Sequence, residues 1–320
     1  MKQIDRRRFI KCVAAGAAAG AAGCATSESP KFRSATLGTS LPGDAPDPGN
    51  RFLYGACRKI EDTPMMKDLG YDFFENSAGA MLVPDKSNDE WRSQRRRILN
   101  AALPLRSCNG FLPAKFRLTG PKADFAPALD YADILCRRAD EVGLKYIVFG
   151  SGGARNVPSV FGPDQKEPNN VEAGRDQFIE FNKRLADRIA NRKVTIVIEP
   201  LCPNESNIIN YVWQGLQIVE DVKSPRLQQL ADIFHMICGR ESACSLIKAG
   251  DRLKHCHIAA KVTRQFPGSN DTDFSSYFNA LNKIGYTGGV SCECSWGDKQ
   301  DLEKNLTIAL TTLKKFAGQA

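Results

Sequence analysis

Four short apolar runs in the second half of this chain each close on a residue that can carry charge. Val194 to Ile198 runs into Glu199, and Leu227 to Leu230 leads through Ala231 to Asp232. Leu253 opens a run that closes on His257, and Gly289 to Cys292 ends at Glu293. Short apolar runs of this kind read as strands covered on both faces, the hallmark of a parallel sheet wrapped in helices. Helical stretches separate them, with apolar residues at three- and four-residue spacing in Phe178, Phe181, Leu185 and Ile189, and again in Leu302, Leu306, Ala309, Leu313 and Phe316.

The alternation begins at Arg51. Strands are expected at Phe52 to Cys57, at Tyr71 to Glu75, near Gly110-Phe111-Leu112 after a basic helix around Trp91 to Ala102, and at Lys145 to Gly150. The last of these follows a helix from about Pro127 to Val142 that closes on Gly143. Eight strand–helix units predict an α/β fold, a (β/α)8 TIM barrel over residues 51–320, a length that suits the roughly 250 residues of such a barrel. In that fold the C-terminal strand ends face the active site, so the four ionisable termini become functional candidates as a set.

Two Glu, one Asp and one His make an oxygen-rich donor set with a single nitrogen. Mn²⁺, Mg²⁺ or Co²⁺ suit it better than structural zinc, which favours closed Cys/His tetrahedra. A lone Glu after a strand is more often a helix cap or a surface carboxylate; four suitable ligands ending four successive strands is what changes the balance. The chain has only three histidines, His235, His255 and His257, all in this half. His255 lies two residues before His257 and so shares its face of the strand, either supporting it or packed in the barrel. His235 follows Asp232 by three residues, a spacing that brings both into one site and points to substrate contact.

At these residues a resemblance appears. Ile198-Glu199-Pro200-Leu201 with Asn204-Glu205-Ser206-Asn207 resembles the EPLN…ET-N segment of the xylose isomerase-like TIM barrels, and Asp232-Ile233-Phe234-His235-Met236 resembles their D-x-FHM segment. His255-Cys256-His257 matches their HxH, and Glu293 the Glu of the closing strand. Ketose 3-epimerases and sugar-phosphate isomerase-like proteins are the nearest in kind. The resemblance implies one divalent metal held by Glu199, Asp232, His257 and Glu293, with Glu199 and Glu293 also moving a proton on opposite faces of the substrate. It implies substrate contacts for Glu205 and His235, and for Arg264, although the interval from HxH to that arginine is one residue longer here. Lys261-Val262-Thr263 replaces the family's Gly-Glu-Cys-Asn stretch, so the far end of the substrate is expected to be read differently.

The first residues read as an address. Asp5-Arg6-Arg7-Arg8-Phe9-Ile10-Lys11 followed by an Ala/Gly-rich run to Gly23 resembles a twin-arginine export signal, and Ala21-Ala22-Gly23-Cys24 resembles a lipobox whose Cys24 takes the lipid. The apolar run is too short to span a membrane. Residues 25–50, rich in Pro, Gly and Ser, read as a flexible tether. The expected location is therefore periplasmic, lipid-anchored to the membrane. The formal charge is +8, but with five Lys/Arg and one Asp in the first 23 residues the rest carries 39 basic against 35 acidic side chains, with no basic stripe to bind nucleic acid. Beyond the two in the signal, nine cysteines remain; Cys108, Cys136, Cys292 and Cys294 read as small buried hydrophobes, while Cys202 and Cys256 flank the site without any CxxC spacing.

The chemistry expected is carbonyl activation for proton transfer through an enediolate, in a metal-dependent isomerase or epimerase of a keto sugar. A 3-keto-glycoside lyase working by β-elimination, favoured by export, and a non-catalytic sugar-binding lipoprotein are the alternatives. Endonuclease IV-type enzymes share the fold, but three histidines cannot supply their trinuclear zinc site. Homo-oligomer formation stays open.

Overall fold

Eight parallel strands, each followed by helix, close on themselves in sequence order: β1 Leu53–Cys57, β2 Phe73–Ser77, β3 Leu105–Asn109, β4 Tyr146–Phe149, β5 Thr195–Ile198, β6 Leu227–Asp232, β7 Leu253–Ile258 and β8 Gly289–Cys292. β1 pairs with β8, so the sheet has no free edge. This is a (β/α)8 TIM barrel, seen in a computed structural model that describes residues 52–159 and 170–318. The export signal, Cys24 and the 25–50 tether lie outside the described residues. Among the described residues no helix is long and apolar enough to cross a membrane.

Strand alternation divides the core in two. On β5, Ile196 and Ile198 join the large apolar layer beneath the helices, while Val197 packs with Val148 of β4 and Leu230 of β6 inside the barrel. The interior is otherwise unusually polar: Glu75, Ser107, His255, His257 and Ser291 are all fully buried. It is filled by unequal sizes. Phe73 occupies the space opposite Gly55, where an added Cβ would fall 2.1 Å from the ring. Burying charged groups there is tolerable only when they are paired, as Glu75 is with His255 and His257.

The third strand differs from the sequence expectation. It runs over Leu105–Asn109, with Arg106, Ser107 and Asn109 among its residues, and the more apolar Gly110-Phe111-Leu112 follows it. Inward-facing polar residues broke the apolar run that marks the other strands. Phe111 instead packs edge-on against Phe149 at 5.0 Å between ring centres. The second strand starts at Phe73 rather than Tyr71. The preceding basic helix spans Asn88–Leu99, opened by a capping box between Ser87 and Glu90.

Candidate metal centre and active site

Each of the four strand-end residues is aimed by local structure. Asp232 ends β6 and caps the helix Ile233–Cys238, its Oδ1 accepting the Phe234 N–H at 2.8 Å. That leaves Oδ2 for the barrel mouth. Glu199 follows β5; its N–H donates to the Phe149 carbonyl at 3.2 Å, and its own carbonyl accepts from Arg155 at 2.9 Å. Arg155 is fully buried and also donates to the carbonyls of Phe149 and Ile209 and to Ser206 Oγ, pinning the ends of β4 and β5 to the loop that follows. Gly150 is required beside Glu199, because a Cβ there would sit 2.3 Å from Oε2. His257 stands beside Asp232 in the β6–β7 register.

These side chains converge. Glu199, Asp232, His257 and Glu293 each offer one donor atom, and the four atoms lie within 4.8 Å of one another. His257 Nδ1 is 3.1 Å from Glu199 Oε1 and 3.4 Å from Glu293 Oε2. Its other nitrogen, Nε2, is 2.9 Å from Glu75 Oε1. Glu293 is half-buried and accepts a 2.7 Å hydrogen bond from Asn109 on Oε1.

The electrostatics of this set are divided. Burial raises Glu199 above the usual carboxylate range, and the Glu293 charge adds to it despite the His257 contact. Asp232 is likewise pushed up by burial, against the pull of Arg264 and His257, to about 6. For Glu293 burial is outweighed by the His257 charge and hydrogen bond and by Arg264, which bring it down to about 2. His257 stays charged far above its ordinary range, because Glu75 and Glu293 overcome the burial penalty. Three carboxylates and an imidazole crowded into this space fit a hard divalent cation: the ion would relieve the repulsion among the oxygens and take the nitrogen as its fourth ligand. Two other groupings include thiols, Cys57 with His257 and Glu293, and Cys202 with Glu205 and His235. Burial raises both thiols, and a protonated thiol is a poor ligand.

The predicted substrate residues gather at the same mouth. His235 accepts the Cys202 N–H on Nδ1 at 3.2 Å, so the hydrogen sits on Nε2. That buried Nε2 has no hydrogen-bond partner and lies 3.5 Å from Asp232 Oδ2, a donor aimed into the site. Arg264 reaches in from the loop after β7, donating to Glu205 Oε1 at 3.1 Å, to Asp232 Oδ2 at 3.1 Å and to Glu293 Oε2. The loop turns back through left-handed Val262 (φ 78°) and Arg264 (φ 49°). Glu205 stands exposed at the rim. His255 packs against Tyr146 and Phe73 inside the barrel, and its Nε2 lies 3.0 Å from Glu75 Oε2. Cys108, Cys136, Cys256 and Cys292 are buried, whereas Cys294 is only partly so.

Three residues went unnoticed in the sequence. Glu75 ends an apolar run as Glu199 does and was open to the same reasoning. Asn109 had no signal, because its strand is not apolar. Arg155 looks like any loop arginine until its four partners are assembled in space. A cleft of about 240 Å³ adjoins Asn109, lined by Cys57, Arg58, Lys59, Asn76, Ser77 and Asn109 at the ends of β1 to β3.

Residues 65–316 match the xylose isomerase-like TIM barrel family. The chain belongs to that family. Within it, the chain is 31% identical over 163 residues to an L-ribulose 3-epimerase of Methylomonas sp. (strain DH-1), covering 50% of this chain and 55% of that one. It is 30% identical over 131 residues to the fructoselysine 3-epimerase of Escherichia coli O157:H7, covering 39% and 47%. The chain thus spans about half the length of the curated relatives it matches. The xylose isomerase-like fold extends further: the D-psicose 3-epimerase structure with D-tagatose from Clostridium cellulolyticum H10 superposes with a TM-score of 0.72 at 18% identity, covering 83% of this chain and 99% of that one. The 3-keto-D-glucoside 4-epimerase of E. coli gives 0.63 at 21%, covering 81% and 99%.

Proposed function

We propose that this protein is a divalent-metal-dependent epimerase or isomerase of a keto sugar, in which Glu199 and Glu293 move the proton. One observation carries the reading: two carboxylates from non-neighbouring strands meet at one imidazole nitrogen, at 3.1 and 3.4 Å, with protonation preferences driven apart. Environments that split a carboxylate pair in this way assign an acid and a base. Glu199, Asp232, His257 and Glu293 would hold the ion. When bound, it supplies Lewis-acid polarisation of the substrate's carbonyl and adjoining hydroxyl.

Glu293, ionised, takes the proton from the carbon next to the carbonyl. Glu199, whose protonated form burial favours, returns one to the other face of the enediolate, and the configuration inverts. His235 Nε2–H and the Arg264 guanidinium supply donors where oxygen charge develops. Glu205 holds Arg264 at the rim. The cleft beside Asn109 is the space for the far end of the sugar. The 3-epimerase relatives support this class of reaction.

The test is to incubate the metal-loaded protein with ketohexoses and with a 3-keto-glucoside in D₂O. Deuterium entering beside the carbonyl with the skeleton intact is the expected result, and Glu293→Gln should abolish it. Release of the aglycone would instead mark elimination, and no exchange with any of several divalent metals would sink both reactions for these substrates.

We propose also that residues 1–24 direct twin-arginine export and that Cys24 carries a lipid, anchoring the barrel to the membrane on the periplasmic side through the 25–50 tether. A Cys24→Ala variant should then move from the membrane to the soluble fraction. Retention at the membrane would reject the anchor.

A further inference from the structure

We infer that Glu75 is a positioning residue: from inside the barrel it fixes which nitrogen of His257 faces Glu199, Asp232 and Glu293. The inference concerns the metal reading of the upper site but has its own readout. Glu75 lies on β2, across the barrel from His257 on β7, and is fully buried. Its two oxygens are divided between two imidazoles. Oε1 is 2.9 Å from His257 Nε2, and Oε2 is 3.0 Å from His255 Nε2 and accepts the Ser107 hydroxyl at 2.7 Å.

A carboxylate can only accept, so each imidazole must present Nε2–H to it. For His257 this places Nδ1 at the mouth, where its lone pair is available to a cation once any proton there has left. A carboxylate behind a metal-binding histidine fixes the ring's tautomer and orientation in this way and strengthens its nitrogen as a ligand. His255 and Ser107 serve the same end by holding Oε2, so that the carboxylate cannot rotate away from His257. His255 Nδ1, by contrast, is buried with no hydrogen-bond partner. The hydrogen bond to Glu75 is therefore the feature that gives this second histidine a role.

Glu75→Gln tests the arrangement with little change in volume. An amide has one oxygen for two imidazole N–H groups, so its NH₂ must face one ring and force that ring to flip or change tautomer. Co²⁺ titration should show binding weakened about 10- to 100-fold, with an altered visible spectrum of the bound ion. Nitrogen-correlated proton NMR of the metal-free wild type should show slowly exchanging, downfield Nε2–H signals from both His255 and His257, distinct from the Nδ1–H that a charged His257 also carries, and Glu75→Gln should lose at least one of the two. Ser107→Ala, which frees one side of Oε2 and touches neither ring, should keep both signals and weaken Co²⁺ binding less. A folded Glu75→Gln protein that binds Co²⁺ as the wild type does, with both signals present, would overturn the inference. Should Glu75→Gln fail to fold, wild-type affinity in Ser107→Ala would overturn it instead. The NMR signals need no metal, so a wild type that binds no Co²⁺ would count against the metal reading while Glu75 was still judged by its N–H protons.

Discussion

The two halves of the barrel contribute to one site in different ways. Strands β5 to β8 end on Glu199, Asp232, His257 and Glu293, whose donor atoms converge at the mouth. Strands β1 to β4 and their loops contribute Glu75, Ser107, Asn109 and Arg155, each of which bonds to a member of that set or to another residue that does. A group that meets a small molecule has to stand at a strand end. A group that only holds another can lie anywhere along the strand, down to the sealed interior.

Substitutions should separate the halves. Glu199→Gln keeps the shape but not the proton chemistry, and epimerisation should fall by about 10²- to 10⁴-fold with the fold intact. Activity within about threefold of wild type would return the site to a structural role. The seam between the halves is next in effect. Phe178, on the helix Val171–Arg188 between β4 and β5, is fully buried against Phe149 and lies 5.8 Å from the Arg155 guanidinium. Phe178→Ala should cost about 3–5 kcal/mol in chemical denaturation. A loss under about 1 kcal/mol would mean that the seam repacks.

Asp232, at about 6, Glu199, raised by burial, and His257, charged well above its ordinary range, must all be deprotonated to ligate a cation. Affinity should therefore rise with pH, about tenfold per unit where only the His257 proton is displaced and more steeply at lower pH, where carboxyl protons leave as well. Co²⁺ binding that stays flat with pH would contradict the ligand set. On the other half, Asn109→Ala leaves Glu293 without its 2.7 Å donor, and kcat should drop about tenfold with metal affinity little changed. An equal loss of affinity would place Asn109 among the groups that hold the ion. The smallest effect belongs to the exposed Arg188–Asp130 pair between two outer helices, where Arg188→Ala should cost no more than about 1 kcal/mol in the same denaturation assay.

Much of the barrel was legible in the chain. β5 and β8 read as uninterrupted apolar runs because their residues face either the helices or an apolar or small interior, and both lie where the runs placed them. β3 did not, because Ser107 turns inward to Glu75 and Asn109 reaches Glu293. Strand recognition by apolar content fails where the interior of a barrel is itself polar. The four strand-end residues were legible for the reason that the sheet is: a parallel barrel sends every C-terminal strand end to one face, so an ionisable residue closing an apolar run is already near its partners.

Sequence by itself thus determined the eight-unit rhythm, the family likeness and the four residues at the mouth, since each depends on local order along the chain. Tertiary structure alone decided that Glu75 lies behind His257, that Asn109 holds Glu293 and that Arg155 ties two strand ends to a loop. Those contacts join residues 182, 184 and 44 positions apart. No local pattern encodes such pairs, because closure of the barrel, not neighbourhood in the chain, brings them within hydrogen-bonding distance.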